Sequence, residues 1–511
     1  MKKNIHEFFE NRKSEVDFRT DRLKAPFGGP QLSSSPVLFE VSEKTQAISH
    51  GGLAAIHQIA LQSGLVDAIN AVPVLKFKLP YYESDHVLNI AYNFLCGGTA
   101  LEHIEYRRND PTHLNMLGTH SIPDPTTAGD FCRRYSATQI EALQDRINAT
   151  RLNVWSRQSP SFFNEAIVDM DGTIAPTYGE CKQGMDISYK GEWGYHPLIV
   201  SLANTKEILY VKNRGGNRPS HEGASVYVDK CITLLREAGF RKIRFRGDTD
   251  FSQTEHLDRW DDANVQFVFG IDAMRNLISI AESLENTAWE RLARPAKYEI
   301  KTEARGCREN VKEKIVNERG YKNLVLEWED IAEIDYRPTK CKRDYRLVIC
   351  RKTISVKRGQ RLLFPEIRYF FYLTNDREKS ASEIIFDSNS RCDQENLIGQ
   401  LKSGMGAMRM PLDNLESNWM YLVAASLAWT LKSWSALWLV VDGRKREACR
   451  RKERLLKMEF ATFLQAMIMV PSQILRSGRR TIVRFLNVNG WTETFFDLVE
   501  QLKFGCHSQR E

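Results

Sequence analysis

Between Asn164 and Asp272 the chain spells a series of apolar runs that commits it to a mixed β-sheet. NEAIVDMD, YHPLIVSLA and EILYVKN follow one another with short turns, and their Val, Ile, Leu and Tyr content suits strands. An amphipathic helix (GASVYVDKCITLLREAG), a strand (KIRFRGD), a helix (TEHLDRWDDA) and a strand (VQFVFGID) complete the series. Three successive strands followed by strand–helix units predict a mixed sheet with helices packed on it, an α/β fold. Asp171 lies in the first strand and Asp248 ends the fourth. If those strands are neighbours, the two acids meet.

A third acid comes from a different kind of segment. SRCDQENLIGQLK reads as a helix. At about 100° per residue, Arg391, Glu395 and Lys402 fall at about 0°, 40° and 20°, on one face. Leu397, Ile398 and Leu401 fall at about 240°, 340° and 280°, an adjoining apolar stripe for the core. The expected result is a carboxylate between two cations, suited to a metal ion and a phosphodiester. Alone, R-x3-E-x6-K carries little, because exposed helices often hold i, i+4 charge pairs. Asp169 faces the same side of its strand as Asp171, and Asp250 competes with Asp248 in the same way. Spacing leaves both choices open.

At 511 residues the chain has room for two or three domains. Residues 1–40, charged and then rich in Gly, Pro and Ser, predict an extended arm. Residues 41–155 show helical periodicity and predict a helical DNA-binding domain. Within it, PDPTTAGDFCRRYS sets Pro and Thr before a short helix carrying Arg133 and Arg134. That pattern fits a helix-turn-helix with Thr126 or Thr127 as N-cap, or equally a small bundle with exposed arginines. Residues 160–273 and 368–441 predict the two parts of a core domain. The span between Asp248 and Glu395 is too long for one crossover. Its basic stretch 274–367, with LVLEWEDI and YRLVICRKT and with RYFFYLTN following directly, predicts a strand-rich insertion. Trp289 and Trp328 lie there. Burial is the ordinary reading of each, and stacking on a displaced base the sharper one.

Residues 442–511 predict a basic helical region. Eight Lys or Arg lie between Arg444 and Lys457, and Arg476, Arg479, Arg480 and Arg484 recur at helical spacing. A solvated face accounts for such runs, and so does binding to a phosphate backbone. The turn NRGGNRPSHEG offers Arg214, Arg218 and His221 either as DNA contacts or as a plain surface loop. A net charge of +7 is too mild to name a partner by itself. Ten cysteines without a CxxC pair predict reduced thiols and argue against a zinc site. The N-terminal MKKNIHEFFENRKSEVDFRTD lacks the apolar core of a signal peptide. The most apolar stretch, Trp419 to Val441, contains Lys432 with Ser and Thr, which favours a buried helix over a membrane span. A cytoplasmic protein with no membrane partner is expected.

The order Asp, Asp, strand-rich insertion, R-x3-E-x6-K resembles the DDE transposases of bacterial insertion sequences. Within them the insertion-sequence 1380 family is the most similar. The shared text is VDMDGTIAPTYGE, GYHPLIVSLA, LLREAGFRKIRFRGDTDF, RYFFYLTN and NSRCDQENLIGQLKSGM, and the likeness runs from about Phe39 to Leu486. In the wider group the last motif is Y-x2-R-x3-E-x6-K. Arg391, Glu395 and Lys402 match it, while Ser388 stands at the Tyr position.

The resemblance implies an RNase H-like mixed sheet flanked by helices. It favours Asp171 over Asp169, because the family's acid is followed by a small residue and Thr, as in Gly172–Thr173. It favours Asp248 over Asp250 through the spacing to Phe251. The implied activity is cleavage at the terminal inverted repeats of an insertion sequence, then joining of the 3′ ends to target DNA. Two Mg²⁺ ions, with Mn²⁺ as a substitute, are the implied cofactors: Asp171 shared by both, Asp248 on one, Glu395 on the other. Arg391 and Lys402 would hold phosphates of the terminal DNA, with Arg133, Arg134 and Trp328 as further contacts. The implied partners are double-stranded DNA and, in the DNA complex, a second copy of the chain. Association with the bacterial nucleoid follows when DNA is bound.

Two rival readings draw on single segments. VDMDGT also fits D-x-D-G-T of haloacid dehalogenase-like phosphatases, with Asp169 as phosphorylated nucleophile and Asp171 as general acid. The motif's distance from the N-terminus counts against it, and Glu395 would have no task. A DNA-binding protein without catalysis would explain the basic tail, but the presence of all three acids counts against that.

Overall fold

The computed structural model describes residues 2–22, 39, 41, 45–78, 80–295, 310–358, 361–362, 364–440, 446–478 and 480–505. Its centre is a ten-stranded mixed sheet. Strands β1 (Glu165–Gly172), β2 (Leu198–Leu202), β3 (Glu207–Lys212), β4 (Lys242–Gly247) and β5 (Gln266–Ile271) lie in the spatial order β3-β2-β1-β4-β5. β1 is antiparallel to β2 and β2 to β3, whereas β1, β4 and β5 run parallel. β2 is buried at every position and β3 at all but its last, as expected for strands covered on both faces.

The sheet does not stop at β5. β8 (Glu366–Thr374) pairs antiparallel with it, and β7 (Tyr345–Arg358) and β6 (Lys322–Tyr336) follow outward. The strands expected as an insertion are therefore hydrogen-bonded into the sheet that carries the acids. Asn375 staples the join, donating to Val265 O at 2.9 Å and accepting from Phe267 N at 3.0 Å. Residues 296–309, also within the expected insertion, lie outside the described residues.

A helical layer packs on the β3 side. Its axis is the helix Leu415–Trp438, buried from Ser417 to its end and set against β3 and the helices Leu53–Gln62, Glu83–Leu95 and Ala137–Trp155. The apolar stretch is thus a core helix. Lys432 is accommodated inside because its Nζ donates to Leu456 O at 2.9 Å and lies 4.3 Å from the centre of the Trp429 ring. Burial pulls its pKa down to about 7. No helix among the described residues is long and apolar enough to cross a membrane.

Three local expectations are corrected. Lys2–Arg22 forms a helix rather than an extended arm. The segment has no Gly or Pro and is rich in Lys, Arg and Glu, all good helix formers; the Gly/Pro/Ser-rich part, 23–38, lies outside the described residues. The helix Pro125–Cys132 is capped by Asp124, not by Thr126 or Thr127. Pro125 takes the first helical position, where its missing N–H costs nothing, and Asp124 accepts from Thr127 N at 2.9 Å. Asp124→Ala should lower stability by about 1 kcal/mol, read as a shift in the urea midpoint.

The third correction concerns Arg476, Arg480 and Arg484. They sit on a β-hairpin, β9 (Ser472–Ser477) and β10 (Arg480–Phe485), turned through Gly478 at φ 61°. Arg480 and Arg484, four residues apart on one strand, share a face as they would on a helix, whereas Arg476 lies across the turn on the opposite face, so the recurrence does not mark a helix. Arg446–Lys457 is helical as expected. Arg444, Lys445 and Arg479 lie outside the described residues.

Candidate active site

β1 and β4 are parallel neighbours with Asp169 in register with Arg246. Asp169 is 1% exposed, and its two oxygens accept from Arg246 Nε at 2.7 Å and Nη2 at 2.8 Å. Arg246 Nη1 also donates to Asp387 Oδ1 at 3.0 Å. Asp169 thus belongs to a buried ion pair across the sheet. Its lone pairs are engaged and shielded, which removes the phosphatase reading that needs it as a nucleophile.

Asp171, two residues on, reaches the open end of β1 and is 17% exposed. Asp248 follows β4 directly and accepts from Asp250 N at 3.0 Å, so the turn holds its carboxylate. That turn needs glycine before it. A Cβ at Gly247 would stand 2.6 Å from Phe251 Cβ. Arg391 is the N-cap residue of the helix Cys392–Gly399. Its Nη1 lies 3.9 Å from Asp171 Oδ2 and 3.8 Å from Asp248 Oδ2. Glu395, one turn further, is exposed and lines a cleft with Asp248 and Arg391. The exposed Asp250 lines the adjoining cleft, which holds Asp171 and again Asp248.

The acids disturb one another. Burial pushes the Asp171 carboxyl up to about 7; Asp248 and Glu395 add to this and Arg391 opposes it. Burial also raises Asp248, opposed by Arg391 and reinforced by Asp250 and Asp272. The site is short of positive charge, and its donors are hard oxygens. That combination fits a divalent ion such as Mg²⁺. The three carboxylates face joined clefts around Arg391 without all lying within 4.8 Å of one another.

Lys402 departs from the expected single face. After Gly399 the helix widens into a π turn, Gln400–Gly404, and Lys402 lies seven residues along the axis from Glu395. Lys402 lines the cleft of Asp171 and Asp248 with His196 and Lys190, whereas Arg391 and Glu395 line the neighbouring cleft that shares Asp248. Leu397, Ile398 and Leu401 are buried as their stripe predicts. Ser388 lines the cleft of Glu395, together with Tyr369 and Tyr372.

Other expected DNA contacts lie elsewhere. Trp328 stands on β6, separated from β4 by β7, β8 and β5, with Arg291 centred 5.0 Å over its ring. Trp289 packs near Tyr369 with Arg351 4.1 Å over its ring. Arg133 is engaged by Asp130 and Asp413, both at 2.9 Å, and Arg134 is exposed in the helical layer. Arg214 is buried and donates to the carbonyls of Pro219, Ser220 and Glu222, so it folds its own loop rather than facing outward. Arg218 is exposed and lines the Asp171 cleft.

Asp272 escaped the sequence reading. It follows β5 as Asp248 follows β4, and it lines the same cleft as Glu395. The signal was present in VQFVFGID, an acid directly after an apolar strand.

The family model "Transposase DDE domain group 1" matches residues 37–504. Comparison with curated proteins returned no match. Among solved structures, the cryo-EM structure of a piggyBac transposase synaptic complex with hairpin DNA is similar with a TM-score of 0.37 at 11% identity, covering 90% of this chain and 87% of that one.

Proposed function

The chain belongs to the transposase DDE domain group 1 family, and on that premise we propose that Asp171, Asp248 and Glu395 are the acids with which it cuts and joins DNA. One observation carries the assignment. Asp171 and Asp248 stand on neighbouring parallel strands and share Arg391, with Glu395 one helical turn beyond it. The strand order β3-β2-β1-β4-β5, with its antiparallel and parallel halves, supports an RNase H-like core.

Two Mg²⁺ ions, or Mn²⁺ in their place, would be held by Asp171 jointly and by Asp248 and Glu395 singly, activating the attacking water or 3′-hydroxyl and neutralising charge on the leaving oxygen. Arg391 and Lys402 approach the acids from two sides and are suited to grip phosphates of the terminal DNA, and Arg218 at the cleft edge can extend that grip. We assign residues 41–155 and the basic helix Arg446–Lys457 to DNA binding, Arg133, Arg134 and Trp328 to outlying contacts, and a second copy of the chain to the paired-end complex. The substrate is then the terminal inverted repeats of an insertion sequence resembling the 1380 family, cut on the nucleoid in the cytoplasm.

The test is cleavage of a labelled duplex carrying the candidate element end, in Mg²⁺ or EDTA, by the native chain and by Glu395→Gln. Metal-dependent nicking at the element boundary, lost in the variant, is expected. Binding without cleavage in any metal would favour an inactive DNA-binding descendant. Equal cutting by both chains would remove Glu395 from the assignment.

A further inference from the structure

Away from the acid clefts, the helical layer buries a second set of metal-type ligands. His50 precedes the helix Leu53–Gln62, Cys96 ends the helix Glu83–Leu95, and His113 lies in the helix Pro111–Leu117. Their exposures are 7%, 4% and 2%. One ligand atom from each lies within 4.8 Å of the other two, and His50 Nε2 is 2.8 Å from His113 Nδ1. Among the described residues no other trio of His, Cys, Asp or Glu is gathered so closely.

The surroundings suit an ion. His50 Nδ1 lies 3.3 Å from Ser49 Oγ, the outer contact that orients a ligating imidazole. His113 is held at its backbone, where its N–H and that of Thr112 donate to Asp110. Asp110 also supplies a negative charge near His50, against the positive charge of Arg107, which donates to the Cys96 carbonyl.

The structure assigns His50, Cys96 and His113 as a zinc site in the helical layer. One thiolate and two imidazoles select Zn²⁺ over the hard ions suited to the acid clefts. Cys96 enters as the thiolate, and its proton leaves to solvent as the Zn–S bond forms. The role is structural. Gly51 N and Gly52 N donate to Val470 O and Ile468 O at 3.1 Å, and Ala47 and Ile48 pair with β9. The segment bearing His50 is therefore already pinned to the C-terminal hairpin, and the ion would tie that seam to two further helices. No residue of this site lines the acid clefts, so it stands or falls apart from the transposase assignment.

The test uses the untagged full-length chain. Elemental analysis should find about one zinc per chain, at least tenfold less in Cys96→Ser and His113→Gln, and an unchanged amount in Asp171→Asn. Loading with Co²⁺ should give a near-ultraviolet thiolate-to-cobalt band that Cys96→Ser lacks. A chelator should lower the melting temperature of the native chain by several degrees and leave Cys96→Ser unmoved. If the variants fail to fold, the cobalt spectrum of the native chain decides. Absence of the thiolate band, or zinc retained in full by Cys96→Ser, overturns the assignment.

Discussion

Asp171→Asn is expected to cut element ends at less than about a thousandth of the native rate while binding the same DNA at least as tightly. Loss of a ligand that both metal ions would share removes charge stabilisation where it is needed, worth about 4 kcal/mol or more of barrier. Binding survives because the substitution takes a negative charge away from the phosphates. A gel-shift and cleavage assay on one labelled duplex reads both, and native-rate cutting by the variant would end the assignment.

The same variant should be more stable than the native chain above pH 7 in EDTA. Burial pushes the Asp171 carboxyl from its ordinary 3.8 up to about 7. Below about pH 4 the carboxyl is protonated in both states and contributes nothing. As pH rises towards 7 the unfolded chain releases the proton while the folded chain keeps it, so stability falls, and the full penalty is present above 7. Asn cannot ionise and escapes that penalty. Thermal melts at pH 5 and pH 8 should therefore diverge, with the variant ahead at pH 8 by an amount on the order of a few kcal/mol. Coincident melts at both values would mean that Asp171 ionises freely in the folded chain.

The second large effect lies in the core. Glu207, at the start of β3, is fully buried. Its carboxylate accepts from Arg151, from Trp155 Nε1 at 2.9 Å, from Trp434 Nε1 at 2.8 Å and from Thr205 Oγ1 at 2.6 Å. It thereby joins the sheet to the helices Ala137–Trp155 and Leu415–Trp438. Glu207→Ala leaves the Arg151 charge buried without its counter-ion and two indole N–H groups without an acceptor. Stability should fall by about 3–5 kcal/mol. Glu207→Gln, which keeps the shape and one acceptor oxygen, should lose less. Tryptophan fluorescence in urea reports the change from the site itself, and an unmoved midpoint for Glu207→Ala would show that the hub contributes nothing net.

Much of this molecule is legible in short stretches of sequence. The apolar runs from Glu165 to Ile271 define the strands, and the acids that follow or end them, Asp171 and Asp248, are legible because strand period and strand ends are local properties. The buried stripe Leu397, Ile398 and Leu401 is legible for the same reason. Tertiary structure decided what depends on partners far away in the chain. Arg246, across a parallel strand pair, turns Asp169 into a buried ion pair and leaves Asp171 for the cleft. Which cleft each cation of the R-x3-E-x6-K helix lines, Arg391 one and Lys402 the other, depends on how that helix lies against the strand ends. Hydrogen bonding of β8 to β5 merges the expected insertion into the central sheet. His50, Cys96 and His113 meet only because three helical segments pack together. Local periodicity states which way a side chain points along its own element, whereas what it points at is set by long-range packing and by the burial that packing imposes.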